Sequence, residues 1–207
     1  MGKFIYTDEN IKSHSLLGDK LNFIELIAQK IIDNNIDGLI AEAGVYKGGS
    51  AKLLATIFPD RDFFLFDSFE GMMENDSDLS GGHQKGDFSD NSIEMVQEYL
   101  KENTNCRFFK GWFPETASFL TTEKFALVHV DMDYYQSTVS CIDVFWNRIQ
   151  LGGVMIFDDY EWVACPGVKR ALSEFFKDRT DFIPENSGIH SIAYFKKESE
   201  QPPLPTG

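Results

Sequence analysis

Residues 125–160, FALVHVDMDYYQSTVSCIDVFWNRIQLGGVMIFDDY, decide how the chain folds. The apolar run Phe125 to Val130 ends in Asp131 and Asp133, a helical pattern follows, and a second apolar run, Val154 to Phe157, ends in Asp158 and Asp159. Short apolar runs on either side of an amphipathic segment read as strand, helix, strand. A connection of this length carries a crossover, which makes the strands parallel and brings both carboxyl ends to one edge of the sheet. Open α/β sheets bind ligands along that edge. Four aspartates gathered there repel one another unless a cation or a chemical task holds them together. An all-oxygen donor set suits a hard divalent ion such as Mg²⁺. Helix capping or solvation of strand ends is the plainer use of such residues, and the two tight doublets weigh against it. By the strand period of two, His129, Asp131 and Asp133 share one face. His129 lies deeper and reads as a hydrogen-bonded core histidine. Ile142, Phe145, Trp146 and Ile149 give the crossover helix its buried stripe.

Upstream, Leu21, Ile24, Ile27, Ala28, Ile31 and Ile32 recur at helical spacing from Asp19, a good N-cap. A short buried strand at 38–41 then runs into Glu42-Ala-Gly44-Val45-Tyr46-Lys-Gly48-Gly49-Ser50, a strand-to-helix turn that offers backbone N–H groups at a helix start. Neither phosphate motif fits it. A dinucleotide fingerprint needs glycine where Tyr46 stands, and a P-loop needs Lys-Ser or Lys-Thr where Ser50-Ala51 follows Gly49. An acid at a strand end before a looser turn suits a cationic ligand without phosphates, and S-adenosylmethionine is one. Glu42 would pair with its ammonium. A second strand, Phe63 to Phe66, ends in Asp67, where doubly wound nucleotide folds place an acid on ribose.

Residues 68–92, rich in Gly, Asp, Ser and Met, form a long loop inside a compact domain, which marks a lid or substrate loop. Asn91 with Glu94 suggests a capping box for the next helix. A third strand at Cys106 to Phe109 leads to Gly111 and Trp112, and Trp112 suits a place beside an adenine ring or in the core. Pro166 opens a helix with Val168, Leu172, Phe175 and Phe176 inward. Phe182-Ile183, a turn over Pro184 to Gly188, and Ile192 to Phe195 read as a terminal hairpin. The domain plan is an N-terminal arm and helix over 1–36, a catalytic domain over 37–197 and a disordered tail over 198–207.

A net charge of −14 disfavours nucleic acid and anionic membranes as partners. No apolar stretch is long enough to span a bilayer and the N-terminus lacks a signal-peptide core, so the cytoplasm is the expected compartment. Three separated cysteines, Cys106, Cys141 and Cys165, imply neither disulfides nor a zinc site and read as small buried hydrophobes. Homo-oligomerisation is left open.

The runs EAGVYKGGSA (42–51), FDSFEGM (66–72), GDFS (86–89), KGWFPET (110–116), VDMDYYQST (130–138) and FDDY (157–160) resemble, in order and spacing, the macrocin O-methyltransferase (TylF) family. The resemblance covers about residues 38–195. It implies an S-adenosylmethionine- and Mg²⁺-dependent enzyme that methylates sugar hydroxyls, on the α/β class I methyltransferase fold, a Rossmann-like doubly wound sheet of seven strands with the last antiparallel. Carried over by position, the metal acids fall on Asp131, Asp158 and Asp159 and the base on Asp133. The cofactor residues fall on Glu42, Gly44, Val45, Tyr46, Gly48 and Ser50, on Asp67 and Ser68 at the ribose, and on Gly111 and Trp112. The chain reads as shorter at its N-terminus than the antibiotic-tailoring members, so macrolide or coumarin acceptors do not carry over. A catechol-type O-methyltransferase acting on an aromatic diol and a non-catalytic cofactor- or cation-binding module are the rival readings.

Overall fold

The computed structural model describes residues 8–14, 18–73, 82–180, 182–186 and 192–199. Two helices, α1 (Glu9–Lys12) and α2 (Gly18–Asp33), precede the sheet. Strand β1 (Leu39–Ala43) passes through the glycine turn into α3 (Gly49–Ile57), and β2 (Phe63–Asp67) is followed by α4 (Ile93–Tyr99) and β3 (Cys106–Lys110). Then come β4 (Phe125–Val130), α5 (Tyr135–Phe145), β5 (Ile149–Asp158), α6 (Pro166–Phe176), β6 (Phe182–Asn186) and β7 (Ile192–Lys197). The strands form one seven-stranded sheet in the order β3-β2-β1-β4-β5-β7-β6. Strands β1 to β5 pair in parallel, and β7 runs antiparallel to both β5 and β6. This is the doubly wound sheet with an antiparallel last strand that the sequence implies.

The period of two divides each central strand between two cores. Ile40 and Leu65 join the α2 and α3 side, where Leu21, Ile24, Ile27, Ala28 and Ile31 present the expected stripe, while Ile32, expected with them, is exposed. Ala41, Phe66, Val128 and Phe157 join the α5 and α6 side, with Ile142, Phe145, Trp146, Val168 and Leu172. Each large side chain so buried contributes roughly 1.5–3 kcal/mol, which favours a single register for every strand. Trp146 is 1% exposed, so it is core, as its place in the stripe suggests.

Several boundaries differ from the sequence reading. Helix α2 begins at Gly18, which puts Asp19 inside it rather than at its cap. Ser92, not Asn91, caps α4, accepting from the Met95 N–H at 3.3 Å. Strand β5 begins at Ile149, five positions earlier than the apolar run suggests, because Gly152 and Gly153 interrupt the hydrophobic pattern without interrupting the backbone. Strand β6 runs through Pro184 to Asn186; the sheet order makes it an edge strand, where a residue without an N–H is tolerated. Within the expected arm, Glu9–Lys12 makes one helical turn capped by Asp8. Residues 1–7, 74–81 and 200–207, and with them most of the expected tail and the tip of the expected lid, lie outside the described residues. Among the described residues no helix is long and apolar enough to cross a membrane.

Candidate functional site

The sheet order reverses between β1 and β4, and such a switch point opens a crevice at the carboxyl ends of the strands. A cavity of about 400 Å³ lies there, within the range of small-molecule sites. Its wall takes in Gly44, Val45, Tyr46 and Ser50 of the glycine turn, Asp67 and Ser68 after β2, and Gly111 and Trp112 after β3. Asp131, Asp133, Asp158 and Asp159 close the side beside β4 and β5. Of the predicted site residues, Glu42 and Gly48 stand outside this wall. Glu42 is fully buried within β1, opposite His129 of β4, and His129 Nδ1 lies 2.7 Å from its Oε1. Residue 42 still belongs to the strand, so its side chain lies within the sheet packing and pairs with His129. Its Oε2 and the His129 Nε2 find no hydrogen-bond partner among the described residues. Gly48 caps α3 in the left-handed region at φ +84°, and a Cβ there would meet Val96 Cγ1 at 3.0 Å. Its task is the turn itself.

The turn is fixed from both sides. The Gly44 N–H donates to Phe66 O at 3.0 Å and the Asp131 N–H donates to Ala43 O at 2.8 Å, so the glycine turn and the acidic loop meet backbone to backbone. Asp67 accepts at Oδ2 from the Val45 and Tyr46 N–H groups (2.7 and 2.9 Å) and at Oδ1 from the Phe69 N–H (2.6 Å). A carboxylate offers about four acceptor sites. Asp67 is thus first the clamp of the turn and keeps little beyond that for a ribose. Asn91 donates to Tyr46 O at 2.9 Å, the Tyr46 hydroxyl donates to Asp90 at 2.7 Å, and Gly71, Met72, Met73, His83, Phe88 and Asn91 line the cavity. The described parts of the 68–92 loop therefore form one wall of the cavity.

The acids do not lie as the strand period suggests. Strand β4 stops at Val130, and Asp133 takes a left-handed conformation, φ +59°, that turns it back toward the sheet edge. Carboxylate oxygens of Asp131, Asp133 and Asp159 come within 4.8 Å of one another. Asp158, placed with the metal ligands by sequence, is instead tied up by Lys20 and by the Asp159 N–H at 2.9 Å. Lys20 is the residue that sequence reasoning missed. Its ammonium contacts Asp158 Oδ1 and lies 2.9 Å from Asp159 Oδ1, with only 8% of the residue exposed. No local signal marks it, since its partners lie about 140 positions away.

Burial, then the charges of Asp158, Asp159 and Asp133, push Asp131 well above the ordinary carboxylate range, against the pull of Lys20. Burial also raises Asp158, with Lys20 again opposing. Asp133 is pushed up to about 7 by burial and then by Asp159. Cys165, expected as an inert hydrophobe, donates its Sγ–H to Asp133 Oδ1 at 3.3 Å and lies 3.4 Å from His83 Nε2. Burial, followed by the charge of Asp133, raises its thiol, so it is a neutral donor there. The oxygen-only set of Asp131, Asp133 and Asp159 fits a hard divalent cation, which prefers several carboxylate oxygens.

Residues 6–195 match the family model described as Macrocin-O-methyltransferase (TylF). The chain belongs to the macrocin O-methyltransferase family. Family membership makes it an S-adenosylmethionine-dependent O-methyltransferase. A relative, demethyldecarbamoylnovobiocin O-methyltransferase of Streptomyces niveus, is 30% identical over 79% of this chain and 68% of its own length. Mycinamicin III 3''-O-methyltransferase of Micromonospora griseorubida is 26% identical over 81% and 71%. The chain thus spans about two thirds of the length of these relatives. The solved O-methyltransferase NovP superposes with a TM-score of 0.76 at 26% identity, covering 90% of this chain and 83% of that one.

Proposed function

We propose that this enzyme transfers the methyl group of S-adenosylmethionine to a hydroxyl of a sugar or glycosylated small molecule in the cytoplasm, with a divalent cation, Mg²⁺, at the acid cluster. The observation that carries this reading is the gathering of Asp131, Asp133 and Asp159 on the wall of the same cavity that the glycine turn lines. Asp131, Asp158 and Asp159 would hold the cation, Asp158 once it is free of Lys20. A bound divalent ion would supply Lewis acidity and neutralise the developing alkoxide charge.

The chain's own residues do the rest. Gly44, Val45, Tyr46 and Ser50, with Asp67 behind them, seat the co-substrate against the α3 N-terminus. The acceptor hydroxyl oxygen attacks the methyl carbon in line as the carbon–sulfur bond breaks. Its proton passes to Asp133, whose raised pKa suits a base working near neutral pH. Apolar groups at the wall, among them Leu21, Ile24 and Phe113, exclude water from this step.

Incubating the protein with methyl-labelled S-adenosylmethionine and parallel panels of glycosides and catechols tests the reading. Label on a glycoside hydroxyl is expected. Transfer to aromatic diols alone would favour the catechol-type chemistry, and cofactor binding without transfer to either panel would favour a binding module.

A further inference from the structure

The acid cluster already holds a cation of the chain's own. Lys20 sits in the first turn of α2, where a positive charge opposes the helix dipole, and it is almost wholly buried. Both conditions are costly for an ammonium. They are offset by Asp158 and Asp159, each with an oxygen on Nζ, and by the nearby charge of Asp131. Asp159 is at the same time a member of the compact oxygen set, so the oxygens that would ligate a divalent ion are in part those that hold the ammonium. Two cations on one carboxylate that is only 9% exposed repel, and charges so buried are screened much less than surface ones.

We propose that the Lys20 ammonium is a resident counter-ion of the acid cluster, which a divalent cation displaces when it binds. In the metal-free protein Lys20 keeps Asp131, Asp158 and Asp159 from driving the carboxyl ends of β4 and β5 apart. On metal loading it withdraws and releases Asp158 to the ion. Because Lys20, Leu21 and Ile24 all line the cavity from α2, the exchange moves one side of the co-substrate pocket. Metal and co-substrate affinities are then linked through α2.

The inference rests on the divalent-cation reading above, and one set of measurements separates their failures. Mg²⁺ and Mn²⁺ are titrated by calorimetry into wild-type protein, Lys20→Met and Lys20→Arg. Lys20→Met should bind at least tenfold tighter than wild type, and Lys20→Arg should stay close to it. On the wild-type protein, amine acetylation read by mass spectrometry should find Lys20 protected in EDTA and labelled severalfold faster with saturating Mg²⁺, a comparison that stands even where Lys20→Met folds poorly. Equal or weaker metal binding by Lys20→Met, or a Lys20 that stays protected in saturating Mg²⁺, overturns displacement while leaving the metal reading intact. Absence of metal binding by wild type and variants alike overturns both.

Discussion

The Asp131 carbonyl oxygen lies so near Gly44 that a Cβ added to the glycine would come within 1.8 Å of it. Gly44 also has φ +85°, a conformation that side chains resist. The cofactor turn and the acid cluster therefore share one backbone contact at the switch point, and neither can shift without the other.

Gly44→Ala tests that contact. The intruding methyl meets backbone rather than a yielding side chain, so a loss of at least about 3 kcal/mol is expected, or roughly 6–12 °C in Tm for a chain of this size. Gly86→Ala is the control. Its φ is also positive, at +88°, but nothing lies within 4 Å of the added Cβ, so only the conformational cost of about 1–2 kcal/mol should appear. Equal Tm changes for the two variants would show that backbone strain, not the contact with Asp131, makes Gly44 necessary.

Asp67→Asn addresses the clamp. An amide offers one acceptor oxygen and turns two donors toward N–H groups now served by a carboxylate. Titration with S-adenosylhomocysteine should find affinity reduced together with Tm, since the turn loosens as the clamp fails. A loss of affinity with Tm unchanged would point instead to direct contact between Asp67 and the ligand.

Most of this architecture is legible in the sequence because it follows from local pattern. Apolar runs ending in acids place β1, β2, β4 and β5, and the helical stripes of α2 and α6 are regular. The errors arise where distant or backbone-specific effects decide. Lys20 meets its carboxylates only through the tertiary fold. The strand period cannot carry Asp133, because the chain leaves the strand at Val130 and turns left-handed. Glu42 lies one position inside the end of β1, where it faces His129 rather than the cavity wall, and the apolar pattern does not mark a strand's end to one residue. Cys165 carries no motif at all; it sits at the start of α6, whose packing against α5 sets it beside Asp133, and the Gly82 N–H on Ala164 O brings the loop with His83 to it.

Burial of the acids, reinforced by their mutual repulsion, gives the metal-free protein a definite pH dependence. Asp131, Asp133 and Asp158 have folded pKa values raised above the unfolded carboxylate value, so the folded state binds protons more tightly. Their contribution to stability is fully present below about pH 4 and is lost as the pH rises through the folded values, near 7 for Asp133. In EDTA the unfolding free energy from urea titration, and with it the midpoint, should fall between pH 5 and pH 7.5, the free energy by at most about 1.4 kcal/mol per pH unit for each group. Saturating Mg²⁺ should flatten that slope. A midpoint that rises over the same range in EDTA would mean that these carboxyls are not held protonated by the fold.

Asp133→Asn preserves shape and removes basicity. Turnover should fall by about 10²- to 10⁴-fold, with cofactor affinity near wild type and partial recovery at high pH. Because the Asp133 carboxylate lies among the oxygens of Asp131 and Asp159, metal affinity must be measured in the same variant. A loss as large as that of Asp131→Asn would make Asp133 a ligand and move the base to His83 or Asp87, whose side chains lie 3.7 Å apart.

The most direct test of metal-assisted methyl transfer is the rate of label transfer from S-adenosylmethionine to a glycoside by wild-type protein, first with Mg²⁺, then after exhaustive EDTA treatment, then with Mg²⁺ restored. Transfer should drop at least about 100-fold in EDTA, in line with the several kcal/mol a Lewis acid contributes, and return on restoration. Undiminished transfer in EDTA would contradict a metal role for Asp131, Asp158 and Asp159.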